Sequence, residues 1–198
     1  MSNLESSGDH PIGSLDDLDG PILYASGSGQ KTFRSEASLH RVLFLASREL
    51  PHIVGDSYRF EYREDGPYSE RINEELNGLL DRGMVDRGLN LTNSGRSLSE
   101  RTVPEEPMRS SIDFWKDFVQ DLTDTEILTF IRVTFQETSG ESDVWAHSGS
   151  GRIDVAVSLV AKDRISVGKG AELAGVGYSE FEEILRGRRI GWKGRSNR

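Results

Sequence analysis

Apolar residues recur at helical spacing in several separate stretches of the chain. Leu39, Val42, Leu43, Ala46 and Leu50 line one face after Ser35 and Glu36, an N-cap with a first-turn acid, and Pro51 ends it. Ile72, Leu76, Leu79 and Leu80 mark a second helix over residues 69–81, entered through the turn Gly66-Pro67-Tyr68-Ser69 and ended by Arg82-Gly83. Ile112, Trp115, Phe118, Val119 and Leu122 predict a third, capped by Ser110 or Ser111. Thr123 and Glu126 form a capping box that opens a fourth, with Ile127, Phe130, Ile131 and Phe135. Residues 58–62 alternate like a half-buried strand or extended segment. Met84-Val85 and Leu89–Leu91 flank Asp86-Arg87-Gly88 as a short hairpin, and residues 91–95 open another short helix. Helix, helix and glycine-tipped hairpin is the order of a winged helix.

The tightest pattern lies at residues 164–186, which predict a helix-turn-helix. Ser166 caps a short helix ending at Ala174, Gly175-Val176-Gly177 turns, and a second helix from Tyr178-Ser179 buries Phe181, Ile184 and Leu185. Ala171 is small where the two helices cross, and Val176 plugs the corner. Such a pair presents its second helix to a DNA groove. An ordinary helical hairpin inside a core would show the same spacing. Residues 152–161 fit two periods: Val155, Val157 and Leu159 alternate, whereas Ile153, Ala156, Val157 and Val160 suit a helix. The unit that follows favours a supporting helix.

These elements divide the chain into four parts. Residues 1–34, rich in Gly, Ser and Asp, lack sustained periodicity and are expected to be disordered or loosely docked. Residues 35–137 form a winged-helix-like domain with following helices, in which 102–109 act as a linker. Residues 138–151 are a flexible linker, and 152–198 a helix-turn-helix unit with a basic tail. The expected fold class is mainly α with a small β-hairpin.

Composition sharpens this picture. The chain has 198 residues, no cysteine, and no run approaching the ~18 apolar residues of a membrane span. With no signal-peptide pattern at the N-terminus, a cytoplasmic location is expected. Net charge is -9, unfavourable for a DNA binder at first sight. Six basic residues and no acid follow from Arg186 onward, however, so the rest holds 18 basic against 33 acidic residues. Arginine outnumbers lysine 19 to 5, and acidity with little lysine suits a high-salt cytoplasm such as that of a halophilic archaeon.

Residues 156–192 resemble a small family of uncharacterised archaeal and bacterial proteins regarded as antitoxins, often encoded beside PIN-domain ribonuclease toxins. The resemblance is carried by Ile165-Ser166 with Gly168-Lys169, by Ala171-Glu172-Leu173-Ala174-Gly175, and by Phe181 with Leu185. The family often has alanine where this chain has Gly170. Residues 39–98 resemble, less specifically, the winged-helix part of Panacea-type (SocA-like) antitoxin domains, through Leu39 and Leu43, Phe60, Gly66-Pro67-Tyr68-Ser69, Leu76, Leu79, Gly83 and Leu91-Thr92 with Gly95. Both resemblances imply neutralisation of a partner or regulation, with a toxin encoded nearby as the partner.

The remaining chemistry is sparse. His10, His40, His52 and His147 lack metal-ligand spacing, and His40 is expected on a helix surface or packed locally. The Gly-Ser-Gly runs at 27–29 and 149–151 lack the strand-loop-helix context of a phosphate loop. No catalytic residue, metal or cofactor is predicted, and the chain is read as a non-enzyme. Candidate DNA contacts are Tyr178 and Ser179 at the head of the second helix, Lys169 on the first, and Arg186, Arg188, Arg189 and Lys193 in and after the second. Glu180, Glu182 and Glu183 on the same helix oppose phosphate contact. Tyr68 and Arg71 on the acidic front helix are candidate partner-binding residues. The sequence-level conclusion is a homodimeric, DNA-binding regulator of antitoxin type. Its rivals are a protein-interaction adaptor that touches no DNA and an unrecognised hydrolase or nuclease.

Overall fold

The structure is a computed structural model that describes residues 19–27, 32–51, 58–135 and 149–192. It is mainly helical, with one small antiparallel two-stranded sheet. In chain order the elements are α1 (Asp19–Gly27), α2 (Glu36–Glu49), β1 (Glu61–Arg63), β2 (Gly66–Tyr68), α3 (Glu70–Asp81) and α4 (Asn93–Ser99). They continue with α5 (Met108–Gln120), α6 (Asp124–Thr134), α7 (Gly149–Ala161), α8 (Val167–Ala174) and α9 (Tyr178–Gly187). The described residues fall into two compact units, those within 1–60 with 68–113 and those within 61–67 with 114–198, so the division falls inside α5. Of the linker expected at 138–151, Gly149–Gly151 belong to α7, and 138–148 lie outside the described residues.

In the first unit α2 is the central helix. Ser35 caps it by accepting the Ser38 N–H, as its position predicts. Residues 38–46 are all buried, including His40 and Arg41, so α2 is enclosed on every side and is not the one-faced helix its periodicity predicts. The helix that encloses it further is α1, which lies within the segment expected to lack order. Ile22 and Leu23 of α1 are fully buried, and α1 packs on α2, α3 and α4. Its nine residues carry no one-sided pattern because Gly20, Ala25, Ser26 and Gly27 give close approach instead of apolar bulk.

The hairpin also sits earlier than its glycine signal predicts. Strands β1 and β2 flank Glu64-Asp65, and Gly66 takes φ 114°, a conformation only glycine adopts without strain. At the expected hairpin there is a single antiparallel bridge, Val85 with Leu91. Asp86 organises that loop, its carboxylate accepting the N–H groups of Gly88 and Asn90. These bonds, led by the one from Asn90, hold Asp86 below its ordinary pKa. Helix α5 begins at Met108, ahead of the expected caps. Ser110 instead donates to Glu106 at 2.7 Å, and Ser111 to Glu49 at 2.6 Å.

In the second unit, α6, α7, α8 and α9 bury Ile127, Phe130, Ile131, Ala156, Leu159, Leu173, Phe181 and Leu185. Thr123 and Glu126 make the predicted capping box, with both reciprocal hydrogen bonds present. Glu126 does more than cap. Its carboxylate accepts from Ser158 Oγ at 2.5 Å and from Lys162 Nζ at 2.7 and 2.8 Å, tying α6 to α7. Burial alone would raise its pKa. The bonds from Lys162, Ser158 and the Thr123 backbone overcome that and hold it at about 2.

A depressed folded-state pKa means the carboxylate stabilises the fold above its ordinary value of 4.5, and the stabilisation is lost as pH falls towards about 2. Glu126→Gln is expected to cost about 1–3 kcal/mol at pH 7 and to flatten the stability profile between pH 4.5 and 2. Chemical denaturation across that pH range checks both effects.

Candidate nucleic-acid interface

The helix pair α8–α9 is built from local signals that close on each other. Ser166 caps α8 by accepting the Lys169 N–H at 3.2 Å. At the other end Gly175 takes φ 74°, its N–H donates to Glu172 O, and Val176 N–H donates to Ala171 O. This double bond pattern around a left-handed residue stops a helix and satisfies its last carbonyls. Arg152 of α7 adds a third partner, its Nε donating to Leu173 O at 2.9 Å. Nothing near Arg152 in the sequence reveals this, because the two residues are 21 apart.

The crossing of the two helices is set at Gly170. A Cβ there would stand 2.6 Å from Phe181 Cε1 and 2.8 Å from Val160 Cγ2, so the Phe181 ring rests directly on the glycine backbone. Ala171, the expected small residue of the crossing, is buried beside it. Phe181 and Leu185 are fully buried, and Ile184 is half-buried at the edge of the face.

On the outside of α9, Ser179, Glu180, Glu183, Arg186 and Gly187 are exposed, and Tyr178, the first residue of the helix, is 53% exposed. Gly177 precedes the helix without a side-chain cap, leaving its first N–H groups open. Three of the predicted cations are engaged by carboxylates. Lys169 meets Glu172 at 2.8 Å, Arg186 meets Glu182 at 3.2 Å, and Arg188 meets Asp154 of α7 at 2.6 Å. Exposed pairs of this kind contribute about 0.2–1 kcal/mol each, so an arriving phosphate can displace the carboxylate at small cost.

Arg189 has no ion pair among the described residues. It takes φ 58°, with its N–H donating to Arg186 O and Ile190 N–H to Leu185 O. The chain therefore turns sharply at Arg189 instead of prolonging α9. Lys193 lies outside the described residues. Sequence reasoning missed Asp154, which pairs with Arg188 from 34 positions away and leaves no local trace.

Of the other two candidates, Tyr68 ends β2 and Arg71 lies in the first turn of α3. Tyr68 is half-buried: its ring stacks on His40 at 4.8 Å between centroids, and its hydroxyl donates to Glu70. His40, packed locally and not on the helix surface, the second of the two expected placements, is buried and accepts the Ser69 N–H through Nδ1 at 3.2 Å. Ser69 caps α3 and donates its hydroxyl to Tyr58 O. Arg71 pairs with Glu75 at 2.7 Å. Tyr68 is thus fixed by its neighbours. Among the described residues no group of three or more His, Asp or Glu is placed to hold a metal ion, and no helix is long and apolar enough to cross a membrane.

Alanine is the better helix former by about 1 kcal/mol, yet Gly170→Ala is expected to lower stability by about 1–3 kcal/mol, because a fully buried ring must move. The shift in denaturation midpoint measures this, and a raised midpoint would show that Phe181 yields freely. Comparison of the chain with protein-family models, curated proteins and solved structures finds no match.

Proposed function

We propose that the chain is a DNA-binding transcriptional regulator of antitoxin type. In this reading α8 and α9 are a helix-turn-helix supported by α7, α9 enters the major groove, and residues 35–137 form a winged-helix-like module that holds a protein partner through Tyr68 and Arg71. The observation that carries the reading is the three-residue turn at Gly175–Gly177, which leaves one whole side of α9 uncovered among the described residues. Lys169, Arg186, Arg188, Arg189 and Lys193 would meet phosphates. Tyr178 and Ser179 would approach the duplex at the helix head, where open N–H groups also favour an anion. A two-fold pair of chains would span two half-sites about one helical turn apart. The partner would be a toxin encoded nearby.

A second reading, a protein-docking adaptor, draws support from the carboxylates beside Lys169, Arg186 and Arg188. Salt dependence separates the two, because phosphate contacts release counterions and docking of two mixed-charge surfaces does not.

Arg188→Ala combined with Arg189→Gly provides the test. Glycine suits the left-handed backbone at 189, so the change removes charge without straining the fold. Affinity for DNA from upstream of the protein's own gene, and for unrelated duplex, should fall together by about tenfold or more. The slope of log K against log salt should shrink by about 0.9 per lost phosphate contact. Fluorescence anisotropy of the full chain over a salt series measures both, and an absence of binding at low salt would leave the adaptor.

A further inference from the structure

The buried side of α9 fixes which residue projects furthest from it. Phe181 and Leu185 both have no exposed surface, and together they mark the inward direction. At about 100° per residue, Glu183 lies opposite the midpoint of that pair, at the crest of the outer face. Its flanking positions, about 40° to either side, are Ser179 and Gly187, both small. Tyr178 lies about 140° round from Glu183 and owes its exposure to being the first residue of the helix.

Glu183 also differs from its acidic neighbour. Glu182 is half-buried and held by Arg186, whereas Glu183 is exposed and has no hydrogen bond or ion pair among the described residues. A charged group on the crest, between two small residues, would be carried deepest into any groove that α9 enters.

Resting on the DNA-binding reading above, we propose that Glu183 is the specificity-determining residue of α9 and selects cytosine by accepting its N4–H in the major groove. The chemistry of the base edges singles out this partner. A carboxylate only accepts, and guanine and thymine present acceptors at the positions it would reach. Adenine offers an amino group, but its N7 acceptor stands beside it and repels the second carboxylate oxygen. Cytosine alone presents an amino donor with no adjacent acceptor on its own edge.

Selection of bound sites from a random duplex pool, followed by anisotropy on single-position variants, tests this with the full chain. The native protein should select a G·C pair at one fixed position in each half-site, with a penalty of about tenfold for replacing it. Glu183→Ala should abolish the preference at that position alone while raising affinity for non-specific duplex, because a charge repelled by phosphates is removed. Glu183→Gln should move the preference towards adenine, which glutamine engages with both a donor and an acceptor. If Glu183→Ala raises affinity equally on every sequence and leaves the selected site unchanged, Glu183 is no base reader, and the DNA-binding reading stands without it. If the native chain binds duplex but selects no sequence, the role of Glu183 falls alone; if it binds no duplex at low salt, both fall together.

Discussion

The contact of the Phe181 ring with the backbone of Gly170 governs the second unit. Helices can approach this closely only where one of them presents no side chain, and the ring then fills the space a Cβ would need. The approach sets which side of α9 is inward. Because Phe181 and Leu185 are one turn apart and both enclosed, the outward residues follow from helix geometry alone. The glycine thus accepts a poorer helix former in α8 in exchange for a defined face on α9.

Short helices need firm ends, and the chain supplies them repeatedly. Ser35, Ser69, Thr92, Thr123 and Ser166 each cap a helix through a side-chain oxygen. Gly83, Asp163, Gly175 and Arg189 each take a left-handed conformation just past a helix, with the same pair of backbone bonds behind them. Two of these four are not glycine, and each such residue bears about 1 kcal/mol of backbone strain. Tertiary bonds close by hold the ends in place: Arg164, which follows Asp163, pairs with Asp117 and Asp121.

Features written within three or four residues were legible in the sequence, and those assembled over longer separations were not. The caps at Ser35 and Ser166, the capping box at Thr123 and the glycine turn at 175 follow from local chemistry. So do the mainly helical class and the inward positions of Phe181 and Leu185. Helix α1 stayed hidden because its packing uses small residues, which carry no hydrophobic period. The hairpin was displaced because Gly88 is a conspicuous turn signal, whereas Gly66 precedes a proline and reads as an entry to a helix. The compact units divide within α5, where the apolar pattern runs on without a break. At the candidate interface the residue types were legible, but their pairing was not. Asp154 with Arg188, Arg152 with the end of α8, and Lys162 with Glu126 each bridge 21 to 36 positions.

The alternation of charge on the second unit has a kinetic meaning. Lys169, Arg186 and Arg188 each stand within a few ångströms of a carboxylate, so their fields largely cancel beyond the Debye length of about 8 Å at physiological salt. A face of this kind exerts little pull on a distant polyanion, and steering adds little to the rate of encounter. A partner docking on α9, as proposed, would meet it by diffusion and be held by short-range fit, so residence time, and not capture, would express its selectivity.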